Sequence, residues 1–184
     1  SRRICETRPD PQSAQKQLAD TLAGTKTYSP LVRGVGDFLG GGGFALFFGG
    51  SLVDALCGGA CGILVGLVMR FLGTRRAGPF FNTLAASFFM ALLAYGLNAA
   101  GLCPNPNAAT IGALMILVPG LIFTNAMRDI LYGDTNSGVN RIVQVLLLAA
   151  AIALGTAGAW NVSSLLWGMP VSVPDITYPV GLQC

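Results

Sequence analysis

The sequence predicts an all-α integral membrane protein with five transmembrane helices, the fourth of them broken at Pro119-Gly120. Three observations predict it. Hydrophobic residues make up 53% of the 184 and charged residues 10%, with mean hydropathy +0.63, far from the roughly 25% charge of a soluble domain. Residues 77–127 contain no charged side chain, and 142–160 form a second uncharged run. A span needs about 20 residues, so the first run holds two helices.

The elements follow in order. Residues 1–30 are soluble in composition, and Asp10-Pro11 followed by 13–20 predicts a turn and a short cytoplasmic helix. With neither an initiator methionine nor a signal peptide, the chain is expected to begin partway through a larger protein. The first span covers 31–50. Its four-glycine run at 40–43 costs about 1 kcal/mol per glycine in a water-exposed helix and needs neighbouring helices against it. The second span, 51–72, follows a Gly49-Gly50-Ser51 turn, and the third covers 79–100. The segment Cys103-Pro104-Asn105-Pro106-Asn107 cannot continue a helix; the fourth span runs over 108–130 and the fifth over 140–160. Residues 31–160 thus form the transmembrane domain. The remainder, 161–184, with Trp167, Pro170, Pro174 and Pro179, is expected to be an extracytoplasmic tail.

Charge orients the bundle. Five is odd, so the termini lie on opposite faces, and a cytoplasmic N-terminal side places all eleven cations inside: Arg2, Arg3, Arg8, Lys16, Lys26 and Arg33, then Arg70, Arg75 and Arg76, then Arg128 and Arg141. The net charge of +3 therefore reflects topology, and a nucleic-acid partner is not expected. The partners are membrane lipid and a small-molecule substrate.

Histidine is absent, so no Ser-His-Asp or Cys-His nucleophile can be built, and no phosphate-cradling GxxxxGK[ST] element occurs. No enzyme activity, cofactor or metal is expected. Cys57 and Cys61 stand one turn apart on the second span and read as packing residues; Cys103 and Cys184, both outside, are a candidate disulfide. Gly58, Gly62 and Gly66 recur every four residues and mark a face for close helix approach.

The fourth span carries the chemistry. Pro119 removes a backbone donor, freeing carbonyls near Met115 and Ile116, and freed backbone groups at the midplane serve transporters as ligands. Thr124 and Arg128, and Asn125 and Asp129, are i,i+4 pairs on one stripe. Pro119, Gly120, Thr124, Asn125, Arg128 and Asp129 are the candidate substrate-binding residues, with Arg128 as a snorkelling topology anchor the plainer alternative. Asp134 or Ser137 is expected to cap the fifth span, where Arg141, unfavourable near a helix N-terminus, needs Asp134, Asp129 or a bound anion. Asp37, Asp54, Asp134 and Arg141 are the coupling or gating candidates; Asp37 and Asp54 also read as helix caps, Asp54 most plainly because it stands in the first turn of the second span.

The pattern PGxxxTNAxRDxxxGDxxSGxxR from Pro119 to Arg141, preceded by GFALFFGGSLVDALCGGACGILVG from Gly43 to Gly66, resembles the threonine/serine exporter family, with the likeness extending over 1–160. The resemblance implies a bacterial inner-membrane exporter built from two five-helix halves. It also implies a small partner subunit, or a second half of the same chain, that completes the pathway, with a higher oligomer open. Its substrates are threonine and serine, or, in split members, succinate-like dicarboxylates. A zwitterion needs an anion and a cation, which Asp129 and Arg128 supply together; a dicarboxylate needs two donor-rich ends, which Arg128 and Arg141 with Thr124 and Asn125 supply. The reading is a proton-coupled antiporter working by alternating access around the broken fourth span. The alternatives are a scaffolding subunit whose partner holds the site, and a passive channel.

Overall fold

A computed structural model describes Ser13, Gln15, 29–75 and 78–168. The chain divides after Val32. In the first unit Ser13 and Gln15 are helical, and the rest of the helix expected at 13–20 lies outside the described residues.

Among the described residues there are six helices and no strands: α1 (Pro30–Phe47), α2 (Leu52–Thr74), α3 (Pro79–Ala99), α4 (Pro106–Leu114), α5 (Gly120–Leu131) and α6 (Thr135–Trp167). Local chemistry sets their ends. Gly49 at φ +82° turns the chain out of α1, and Ser51 opens α2 with a capping box completed by Asp54. Proline occupies the first turn of α3 and of α4, where its missing N–H costs nothing. Asn105 caps α4 by accepting from the Ala108 N–H at 3.2 Å. Gly168, at φ +59°, ends α6.

Three helices, α2, α3 and α6, are long and apolar enough to cross a membrane by length and composition. The other three differ from the expected spans for identifiable reasons. α1 carries Arg33, Asp37 and six glycines, which dilute its apolarity. α4 and α5 are two short helices where one interrupted span is expected over 108–130. α6 begins five residues before the expected 140 and continues seven past 160, into the predicted tail. It extends because Asn161, Ser163 and Ser164 return their polar groups to the backbone at Ala157, Trp160 and Asn161, so the polar stretch costs the helix little. Its 33 residues reach about 50 Å at about 1.5 Å each, beyond a hydrocarbon core of about 30 Å.

Glycines bring α1 and α2 together. A Cβ at Gly41 would fall on the Gly58 carbonyl, at Gly42 on the Ala55 carbonyl, and at Gly62 on the Asp37 carbonyl. The pairings run in opposite chain directions, so the two helices are antiparallel at backbone contact distance. α4 joins them where Gly112 meets Ala45 and Gly41. The core is Cys61, Val65, Met90, Ala94, Ala113 and Leu117, contributed by α2, α3, α4 and the segment after it. α6 packs along α3 and α5, with Gly155 against Ser87 and Leu84 and Trp160 edge-on to Tyr95 at 5.1 Å. Outward faces carry Leu52, Leu56, Phe71, Phe81, Leu146 and Leu154, where a soluble bundle would carry charge.

Candidate functional site

The motif from Pro119 to Arg141 builds an elbow between α5 and α6. Each of its later residues has a local task. Gly133 adopts φ +90°, and Asp134 caps α6 by accepting from the Ser137 N–H at 3.2 Å. Hydrogen bonds from Ser137, and then the positive charge of Arg141, hold the Asp134 carboxyl below the usual range. A Cβ at Gly138 would meet Ile130 and the Ala126 carbonyl, so glycine lets α6 close on α5. Arg141 Nη1 then reaches Asp129 Oδ2 at 2.8 Å, so among its expected partners Asp129 provides the contact. The Asp129 side chain is 16% exposed and Arg128, 3.8 Å from it, 62%.

On α5, Thr124 donates to the Gly120 carbonyl at 2.9 Å, leaving its oxygen lone pairs open as acceptors. Thr124 and Arg128 are exposed while Asn125 and Asp129 are half-buried. The four polar groups thus divide between an open face and a face turned toward α6.

Between α4 and α5 the chain is not helical. Pro119, at φ −79° and ψ 51°, forms an inverse γ-turn in which the Gly120 N–H bonds to Val118 at 2.8 Å. That N–H is thereby turned away from the Ile116 carbonyl, and Pro119 has none to offer Met115. Ile116 and Leu117 line a cleft of about 340 Å³ together with Val65, Met69, Asp37 and Arg70. Arg70 Nη2 and Asp37 Oδ2 form an ion pair at 2.8 Å, with 34% and 23% of their side chains exposed. Glycine makes the pair possible: a Cβ at Gly66 would collide with the Asp37 carboxylate. Sequence reasoning counted Arg70 only as a topology cation. The missed signal is the ladder, since Arg70 follows Gly66 by four residues and so continues the face that Gly58, Gly62 and Gly66 turn toward α1.

A family model of threonine/serine exporters (ThrE) matches residues 1–163. This chain belongs to the threonine/serine exporter family. The family is one of transporters, not of enzymes, and together with the apolar helices it makes the chain a multi-pass membrane protein. No curated protein and no solved structure matches the chain.

In this exporter-family chain Asp54 stands apart from both ion pairs, sixteen residues before Arg70 on α2 and so about 24 Å away along the helix. It is 2% exposed. Its carboxylate accepts from the Ser51 N–H at 2.9 Å, the Ser51 hydroxyl at 2.8 Å and the Asn105 N–H at 2.8 Å, and the Cys103 thiol lies at 3.6 Å. It therefore staples the start of α2 to the start of α4. Burial first, then the neighbouring Cys57 and Asp54, push the Cys103 thiol up to about 12. The proposed Cys103 partner, Cys184, lies outside the described residues. Among those residues no group of three His, Cys, Asp or Glu is placed to hold a metal.

Proposed function

We propose that this chain forms one half of a proton-coupled exporter of a small polar metabolite, threonine or serine first and a C4 dicarboxylate such as succinate second. The observation that supports this reading best is the open face of α5. Thr124 and Arg128 are exposed on a helix that α6 packs from one side, in a chain that also exposes large apolar residues such as Leu52, Phe71, Phe81 and Leu146. A guanidinium is costly against lipid, so this face calls for a water-filled path and a second half to cover it. Arg128 then draws the anionic end of a substrate into the path, and Thr124 and Asn125 bond its polar groups as it passes.

Coupling rests on carboxylates in a chain without histidine. Protonating Asp129 would release Arg141, and that exchange is the proposed link between proton entry and movement of the elbow. A small membrane subunit, or a second half of the same chain, supplies the remaining helices. The positive-inside rule favours an orientation with the N-terminal side cytoplasmic and the C-terminus outside; a bacterial inner membrane is what the family resemblance implies.

Efflux of labelled threonine and of succinate from proteoliposomes holding the intact protein with its companion subunit tests this reading, with and without a proton uncoupler. Arg128→Ala is expected to abolish the flux while leaving assembly intact, because Asp129 keeps Arg141. Unchanged flux in that variant would make Arg128 a topology anchor and move the path elsewhere.

A further inference from the structure

The α5 face offers donors that suit a zwitterion or a dicarboxylate equally, so it does not choose between them. The Asp37–Arg70 cleft does. We propose that this cleft reads both charges of a zwitterionic amino-acid head group, and that Asp37 is the residue that excludes dicarboxylates. The inference rests on the exporter reading above and assigns the residues that select between its two substrate classes.

Charge balance is the first argument. Asp37 and Arg70 together are neutral, paired at 2.8 Å with each side chain still partly exposed. A zwitterion inserted between them gives its carboxylate to Arg70 and its ammonium to Asp37, and the site stays neutral with each charge still paired. A dicarboxylate bound to Arg70 places a second anion beside Asp37 and leaves both uncompensated.

The site is also built. Gly66 provides the space that the Asp37 carboxylate occupies, and Gly62 the space for its carbonyl, so a larger residue at either position on α2 would push Asp37 off Arg70. Size and place are the third. About 340 Å³ is at the small end of ligand sites, which run from roughly 300 to 1,000 Å³. Ile116 and Leu117, which follow α4, line the cleft, so it lies beside the interruption between α4 and α5.

The test is selectivity, measured on the intact protein with its companion subunit in proteoliposomes. Asp37→Asn is expected to lower the ratio of threonine to succinate transport by about tenfold or more, because it removes the repulsion of the second carboxylate along with the ammonium's partner. Gly66→Ala is expected to lower the same ratio with no change of charge. An ion pair that only supports the fold would lower both fluxes together and leave the ratio where it was, which would overturn the proposal while the exporter reading stood. A wild-type protein that moves neither compound would overturn both. For variants that do not reach the membrane, the wild type decides. Threonine methyl ester, lacking the carboxylate, and a 2,3-dihydroxy acid, lacking the ammonium, should each compete with threonine at least about tenfold less well. Equal competition by either would refute the two-charge site.

Discussion

Replacing Asp54 tests the staple between α2 and α4. Asp54→Ala removes three hydrogen bonds of 2.8 to 2.9 Å, from Ser51 N–H, Ser51 hydroxyl and Asn105 N–H, at a carboxylate that is 2% exposed. A hydrogen bond to a charged group contributes about 1.5 kcal/mol or more, which sums to about 4 to 5 kcal/mol. Water entering at the helix ends recovers part of this, leaving about 3 kcal/mol. For a chain of this size that lowers the melting temperature by about 6 to 12 °C. Asp54→Asn keeps an acceptor for Asn105 but can turn an amide donor toward the Ser51 N–H, so it should lose about half as much. Thermal unfolding in detergent, followed by the fluorescence of Trp160 and Trp167 on α6, reads both variants. Exchange of the Asn105 amide should accelerate in parallel. An Asp54→Ala protein that melts within about 2 °C of wild type would refute the staple. Full stability of Asp54→Asn together with loss of uncoupler-sensitive transport would instead return Asp54 to the proton path.

Two further outcomes follow from the packing. Gly62→Ala drives a Cβ onto the Asp37 carbonyl, with Ile116 Cδ1 at 3.0 Å behind it, and backbone cannot yield as a side chain can; the cost should be about 1 to 3 kcal/mol by the same melt, whereas Gly43→Ala, with nothing within 4 Å of its Cβ, should be neutral or stabilising. Cys103, buried and with its thiol pushed up to about 12, should react with N-ethylmaleimide at pH 7.5 on the order of a thousandfold more slowly than a free cysteine, and fully once unfolded; rapid labelling of the native protein in a variant lacking the other cysteines would show the staple open.

Individual residues show what was legible in the sequence. The Gly58-Gly62-Gly66 spacing pointed to close helix approach because a period of four places residues on one face, and α1 meets that face at backbone distance. The partner of Arg141 was legible only as a choice among Asp134, Asp129 and an anion. Asp134 is spent on capping α6 and Asp129 takes the guanidinium. Arg70 was misjudged because a cation near a helix end satisfies the topology rule whatever it touches, and Asp37 is thirty-three residues away.

Composition and local spacing were enough for a helical chain, a membrane environment, the breaks at Gly49-Gly50, Cys103–Asn107 and Pro119-Gly120, the capping roles of Asp54 and Asp134, and the family. Burial of backbone groups in lipid leaves few alternatives to a helix, so those features needed no knowledge of neighbours. The tertiary structure alone decided which carboxylate pairs with which arginine, that Asp54 joins α2 to α4, and that Asp37 and Arg70 meet beside the interruption after α4. Those contacts join residues distant in the chain, and glycines at the helix crossings decide them by permitting backbones to touch.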